Sequence, residues 1–202
     1  SANGFYLQSG IFNALAGDVN SASKVNFEIN SSDGFLLINE VGFNANEDQI
    51  SKYALGYWTY TRTFDDLNIQ VTDGAGNSVP QQVNSSGAYL LFDQSLSAKT
   101  SLFLRYGVAS TASNFVKDNI AGGVVLLGPI STRPEDKLGL AFTRVSSNSG
   151  KQPAECAYEL SYRMELAQGL ALQPDLQYIT NPGFSEDNTQ GFVGGLRLEV
   201  GF

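Results

Sequence analysis

Polar side chains alternating with apolar neighbours are the chemically most suggestive feature of this sequence. Glu40, Asp93, Arg105, Glu159, Arg163, Asp175, Gln177, Arg197 and Glu199 all stand in runs of this kind. Side chains so spaced point to one side of an extended chain, where they can donate and accept hydrogen bonds in a row. They do not form a catalytic constellation. The chain contains no histidine, which removes the usual general base of Ser and Cys hydrolases and the commonest metal ligand. Paired carboxylates are the one enzymatic arrangement the composition leaves open. The single cysteine, Cys156, precludes an intrachain disulfide and any multi-cysteine metal site. The acidic pairs Glu47-Asp48, Asp65-Asp66 and Glu186-Asp187 lack the Asp-x-Asp-x-Asp-Gly pattern and distal Glu of a calcium loop, so solvated loop charge is their simplest role. Gly122-Gly123 and Gly194-Gly195 belong to no GxGxxG or GxxxxGK motif and read as strand glycines that permit bending or close packing. No cofactor and no metal is expected. With 12 Lys+Arg against 20 Asp+Glu and a net charge of −8, a nucleic-acid partner is disfavoured.

The elements that must position these groups are strands. Period-two alternation recurs over 3–12, 34–44, 52–62, 86–95, 100–110, 118–128, 136–145, 153–167, 170–180 and 191–202, separated by segments rich in Gly, Asn, Ser, Asp and Pro. A helix over 153–167 is excluded because Cys156, Tyr158, Leu160, Tyr162, Met164 and Leu166 fall at every second position. No stretch approaches the roughly 18 uninterrupted apolar residues of a membrane-spanning helix. The alternation gives one greasy face and one wet face, as in a membrane barrel, although any half-buried strand alternates similarly. Leu170, Leu172, Pro174, Leu176 and Tyr178 share one face while Gln173, Asp175 and Gln177 share the other, and Phe192, Leu196, Leu198, Val200 and Phe202 alternate likewise in the last tract. The expected fold is an all-β, antiparallel transmembrane barrel wall of about ten strands in a single domain, 1–202.

Connection lengths test this. Bacterial barrels place short turns at the periplasmic end and longer loops outside. Counting back from Phe202 at the periplasm puts 181–190 and 146–152 outside, 167–169 and 96–99 inside, and the long connections 13–33 and 63–85 outside. The segment 111–117 is short for an outer loop, and 129–135 is long for an inner turn.

Several segments resemble the carbohydrate-selective porins of the OprB type. They are Leu172-Gln173-Pro174-Asp175-Leu176-Gln177-Tyr178-Ile179, then Asn181-Pro182-Gly183, and the closing Gly195-Leu196-Arg197-Leu198-Glu199-Val200. Glu159-Leu160-Ser161-Tyr162-Arg163, Arg133-Pro134-Glu135-Asp136-Lys137-Leu138-Gly139-Leu140-Ala141-Phe142 and Phe103-Leu104-Arg105-Tyr106-Gly107 add to it. The resemblance implies an outer-membrane barrel of about sixteen strands, through which sugars diffuse passively. The ten tracts would then be its C-terminal portion, lacking N-terminal strands. It also implies a Gram-negative bacterial setting, with outer-membrane lipid and lipopolysaccharide as surroundings and sugars as transported solutes. Related porins are monomers or trimers, so a homo-oligomer stays open. The competing expectation is a non-conducting structural or adhesive barrel.

On the porin expectation, the nine alternating polar residues line the lumen. Arg105 and Arg163 are the foremost candidates to contact solute, since a guanidinium offers five fixed donors to hydroxyl groups. Their simpler role is ion pairing along the wall. Trp58 and Tyr60, which share a face with Ala54, Gly56 and Arg62, are candidate stacking surfaces for sugar rings. The alternative for aromatic residues is the girdle at the membrane boundary, the preferred place for Tyr106, Tyr162, Tyr178 and Phe202. Cys156 is expected to face lipid.

Overall fold

The computed structural model describes residues 4–14, 33–45 and 51–201. They contain ten strands: β1 (Gly4–Asn13), β2 (Phe35–Asn44), β3 (Ser51–Thr72), β4 (Ser78–Ser97), β5 (Thr100–Ala109), β6 (Val116–Leu127), β7 (Lys137–Ser147), β8 (Glu155–Ala167), β9 (Leu170–Thr180) and β10 (Gly191–Val200). Every alternating tract of the sequence is one of them. All ten join in a single antiparallel sheet in chain order. Within the described residues β1 pairs only with β2, and β10 only with β9.

Register assigns the two faces. The row Leu102–Val124–Leu140–Leu160–Leu176–Gly194 runs directly across β5 to β10, and so does Leu104–Gly122–Phe142–Tyr158–Tyr178–Phe192. None of the described residues covers this face: Phe5 is 85% exposed, Leu196 71% and Leu198 62%. The buried apolar side chains among the described residues are Ala54 and Ala171. A sheet in water would place its aliphatic side chains against a core, so a face this greasy and this bare is built to meet hydrocarbon. Strands of 10 to 13 residues, rising ~3.3 Å per residue at ~40° tilt, cross roughly 25–33 Å, the thickness of a bilayer core.

Two strands exceed that length. The sequence suggests an outer connection at 63–85, but the structure carries β3 on to Thr72 and starts β4 at Ser78, leaving 73–77 as the turn. The correction has a physical reason. Beyond the membrane both faces of a hairpin are wet, so pairing continues where no greasy face is required, and Leu67, Ile69 and Val71, which still alternate with polar neighbours, stay exposed. The turn is fixed by Asp73, whose carboxylate accepts bonds from the backbone N–H of Ala75 at 2.9 Å and of Asn77 at 2.8 Å; these hold Asp73 below its usual pKa, the bond from Asn77 leading. Asp65 and Asp66 therefore sit in a strand and not in a loop. Asp66 is 5% exposed and caps the Asn68 and Ile69 N–H groups at a bulge, at 2.8 and 3.1 Å.

The hairpin is tied to the neighbouring loops. Leu67 N–H donates to Ala112 O at 2.8 Å, Asn148 N–H donates to Phe115 O at 2.8 Å, and the Phe115 and Phe184 rings meet at 5.3 Å. All of these lie at one end of the sheet, with the connections 73–77, 110–115, 148–154 and 181–190; the turns 98–99 and 168–169 lie at the other. The turns 98–99 and 168–169 and the connections 148–154 and 181–190 thus fall at the ends expected, while 128–136 is a long connection at the short-turn end. The residues 15–32, 46–50 and Phe202 lie outside the described residues, and with them Glu47-Asp48 and most of the 13–33 connection.

Candidate functional site

A register break inside the span would have moved part of the polar set to the lipid side. The breaks fall elsewhere: Thr59/Thr63 and Asp65/Gln70 where β3 leaves the span, and Ser95/Ser97, Val116/Asp118 and Glu165/Ala167 at strand ends. Accordingly Glu40, Asp93, Arg105, Glu159, Arg163, Asp175, Gln177, Arg197 and Glu199 all occupy the inward face, as do Trp58 and Tyr60. Tyr106, Tyr162, Tyr178 and Cys156 occupy the outward one.

The inward groups form clusters. Glu40 accepts the hydroxyl of Tyr6 at 2.6 Å and that of Tyr89 at 2.8 Å, and pairs with Lys52 Nζ at 3.5 Å. Arg105 Nη2 binds Asp93 Oδ1 at 2.6 Å while its Nη1 donates to the carbonyls of Phe92 and Leu104 at 3.0 and 2.9 Å. Arg163 bridges Glu199 at 2.9 Å and Glu165 at 2.7 Å. Gln177 donates to Glu159 at 3.0 Å, and Asp175 lies over Gly195. Arg105 and Arg163 are thus held to the wall by carboxylates. Among the described residues no ion pair within 4.0 Å involves Arg197, so its guanidinium keeps its donors for other partners.

Four inward aromatic rings lie across glycines directly opposite on the next strand: Tyr6 over Gly42, Tyr89 over Gly56, Trp58 over Gly87 and Phe103 over Gly123. Each ring occupies the space a Cβ would need. It therefore lies flat on the wall, with its outer π-face turned to the interior. From Trp58 the aromatic track continues through Tyr60 at 5.9 Å to Phe64 at 5.1 Å, with Arg62 stacked on Phe64 at 5.2 Å.

Sequence reasoning missed Tyr6, Lys52, Tyr89 and Phe103 on this face, although parity was there to find them: Tyr89 stands four residues before Asp93. It also missed Asp136, which is 1% exposed at the opposite end of the sheet. The Asp136 carboxylate accepts hydrogen bonds from Arg133 Nε and Nη2, from the Tyr162 hydroxyl at 2.7 Å and from the Glu165 N–H at 3.0 Å. These bonds, Arg133 first, hold its pKa down to about 2 against the opposing effect of burial. The long turn 128–136 is therefore a strand-end clamp.

A tall antiparallel sheet with a bare apolar outside and a hydrogen-bonding inside is an arc of a membrane β-barrel whose inner wall meets water. Residues 1–202 match the profile of the OprB family, described as carbohydrate-selective porins. The chain belongs to this family and is part of an outer-membrane β-barrel. It is similar to Porin B of Pseudomonas aeruginosa, with 23% identity over 98% of this chain and 52% of that protein. Its fold matches a solved structure of Pseudomonas putida OprB at high pH, with a TM-score of 0.82 and 23% identity over 98% of this chain and 56% of the other. The chain spans about half the length of these relatives.

Proposed function

We propose that residues 1–202 form one side of a passive pore for small hydrophilic solutes, carbohydrates among them, and catalyse no reaction. The observation that carries this is the inward face itself, where flat aromatic rings stand among fixed charges and amides. A pyranose offers hydroxyls to the polar groups and C–H patches to the rings. The track Trp58–Tyr60–Phe64 and the donors of Arg197 are the groups we assign to solute contact, while Arg105 and Arg163 shape the local charge. Further strands, about sixteen in all, complete the barrel. The support for that is the absence, among the described residues, of a partner strand along the outer edges of β1 and β10, since each unpaired group in lipid costs several kcal/mol.

The test is single-channel recording of the full-length porin in planar bilayers. Ohmic conductance that falls on adding sugar is expected; conductance indifferent to every sugar removes the carbohydrate assignment, and a detergent-soluble protein without conductance favours a structural barrel.

A further inference from the structure

Charge is almost entirely confined to the inward face. On the spanning wall the register turns only two charged side chains of the described residues outward, Asp118 and Arg144. They come from adjacent strands and meet at 3.8 Å, and Lys117 approaches the same carboxylate at 3.6 Å. Asp118 is largely covered, at 15% exposure, whereas Arg144 and Lys117 remain 51% and 56% exposed. The carboxylate gathers two cations at one point and cancels one of them.

The height of this point on the wall matters. Arg144 lies two residues along β7 from Phe142, which starts the outward aromatic row Phe142–Tyr158–Tyr178–Phe192. Such a row marks the boundary of hydrocarbon. Two residues, ~6.6 Å of strand, put the guanidinium at headgroup level, on the side of the long connections. Immediately below it an apolar groove of about 580 Å³ opens between Phe142, Leu140, Tyr158, Leu160, Tyr178 and Phe192.

We propose that this is a binding site for one lipid A moiety of lipopolysaccharide, with a phosphate on Arg144 and Lys117 and an acyl chain in the groove. Charge complementarity selects the occupant. Two exposed cations, one of them balanced by Asp118, above an apolar channel suit an anionic amphipath, and a guanidinium forks onto phosphate oxygens. The external position of the long connections selects the leaflet. The proposal rests on the porin assignment only for which face meets lipid and which end is external.

The experiment is native mass spectrometry of the full-length porin, delipidated in non-ionic detergent and titrated with lipid A. One bound lipid A per barrel is expected. The double variant K117Q/R144Q should weaken binding at least tenfold, and removing one lipid A phosphate should weaken binding to the unaltered protein similarly. K117R/R144K should retain it. Heat-modified gel mobility confirms that each variant is folded. Equal binding by K117Q/R144Q and the unaltered protein overturns the proposal, as does equally tight, Arg144-dependent binding of phosphatidylglycerol. Conductance and sugar block of K117Q/R144Q should be unchanged; a porin with no sugar response that still binds lipid A through Arg144 refutes the solute assignment and leaves this one standing.

Discussion

Replacing Gly56 by alanine tests whether the flat aromatic rings set the width of the lumen. A Cβ at position 56 would stand 2.5 Å from Tyr89 Oη and closer still to the ring carbons. Ordinary contact is about 3.5–4 Å, so the ring must retreat by roughly 1.5–2 Å. Backbone pairing on both sides of β3 fixes Gly56 opposite Glu40 and Tyr89, which leaves the interior as the only direction of escape. The tyrosine would then lose its 2.8 Å bond to Glu40. A hydrogen bond to a charged group is worth about 1.5–3 kcal/mol where water is excluded, and less here, because lumen water can replace it. The expected outcome is a properly assembled barrel with lower single-channel conductance, regained in the double variant G56A/Y89A. That reversal is the decisive arm, since a defect caused by strain at Gly56 itself would persist when the ring is gone. Unchanged conductance in G56A, or no recovery in the double variant, refutes the reasoning.

Other perturbations address the remaining groups. Trp58→Ala should abolish most of the sugar-dependent block while Trp58→Phe keeps it, measured as the sugar concentration that halves the current; equal loss in both would argue against stacking. Arg105→Gln frees Asp93 of its cation, so the reversal potential in a salt gradient should move toward cation selectivity, with stability in urea changed by no more than ~1 kcal/mol, as for other solvated pairs. The Asp136 clamp predicts a pH signature. Its native pKa of about 2 lies below the ~3.9 of an unfolded aspartate, so its contribution is complete above pH ~4 and vanishes as pH falls through 2. Urea midpoints of the unaltered protein should therefore drop across that window more than those of Asp136→Asn, which should already be lower at pH 7; parallel curves would contradict the assignment.

Much of this architecture is legible in the sequence because lipid enforces it. With hydrocarbon on one side, a one-residue slip would bury Arg197 and expose Leu196 to water, so parity alone places the inward residues. Where lipid ends, the signal weakens. Residues 63–72 and 78–85 pair as strands with both faces wet; the alternation of Leu67, Ile69 and Val71 is too short, between Asp65-Asp66 and the turn residues Asp73-Gly74, to read as a spanning strand. Which inward charges meet is a matter of register between strands. Arg105 faces Leu91 across the ladder but reaches diagonally to Asp93, and Arg163 crosses a whole strand, β9, to Glu199 on β10. Asp136 was invisible for another reason: its partners combine a residue three positions back with a tyrosine and a backbone amide from β8.

The ring-over-glycine arrangement is not specific to solute contact. A strand glycine costs roughly 0.5–1 kcal/mol relative to alanine, yet the inward face repeats it opposite Tyr6, Tyr89, Trp58 and Phe103. Covering bare backbone with a ring recovers part of that cost, and the outward face does the same, since the Phe142 ring stands 3.1 Å from where a Gly122 Cβ would lie. The device is therefore a way of building a thin wall, used toward lipid and toward water alike, and a flat ring alone does not mark a sugar site. What distinguishes the inward rings is their polar company. Tyr6 and Tyr89 converge on Glu40, whereas Trp58 continues into Tyr60, Phe64 and Arg62. The first group is committed to its carboxylate; the second keeps faces free, and that difference makes Trp58 the proposed stacking surface for a passing solute.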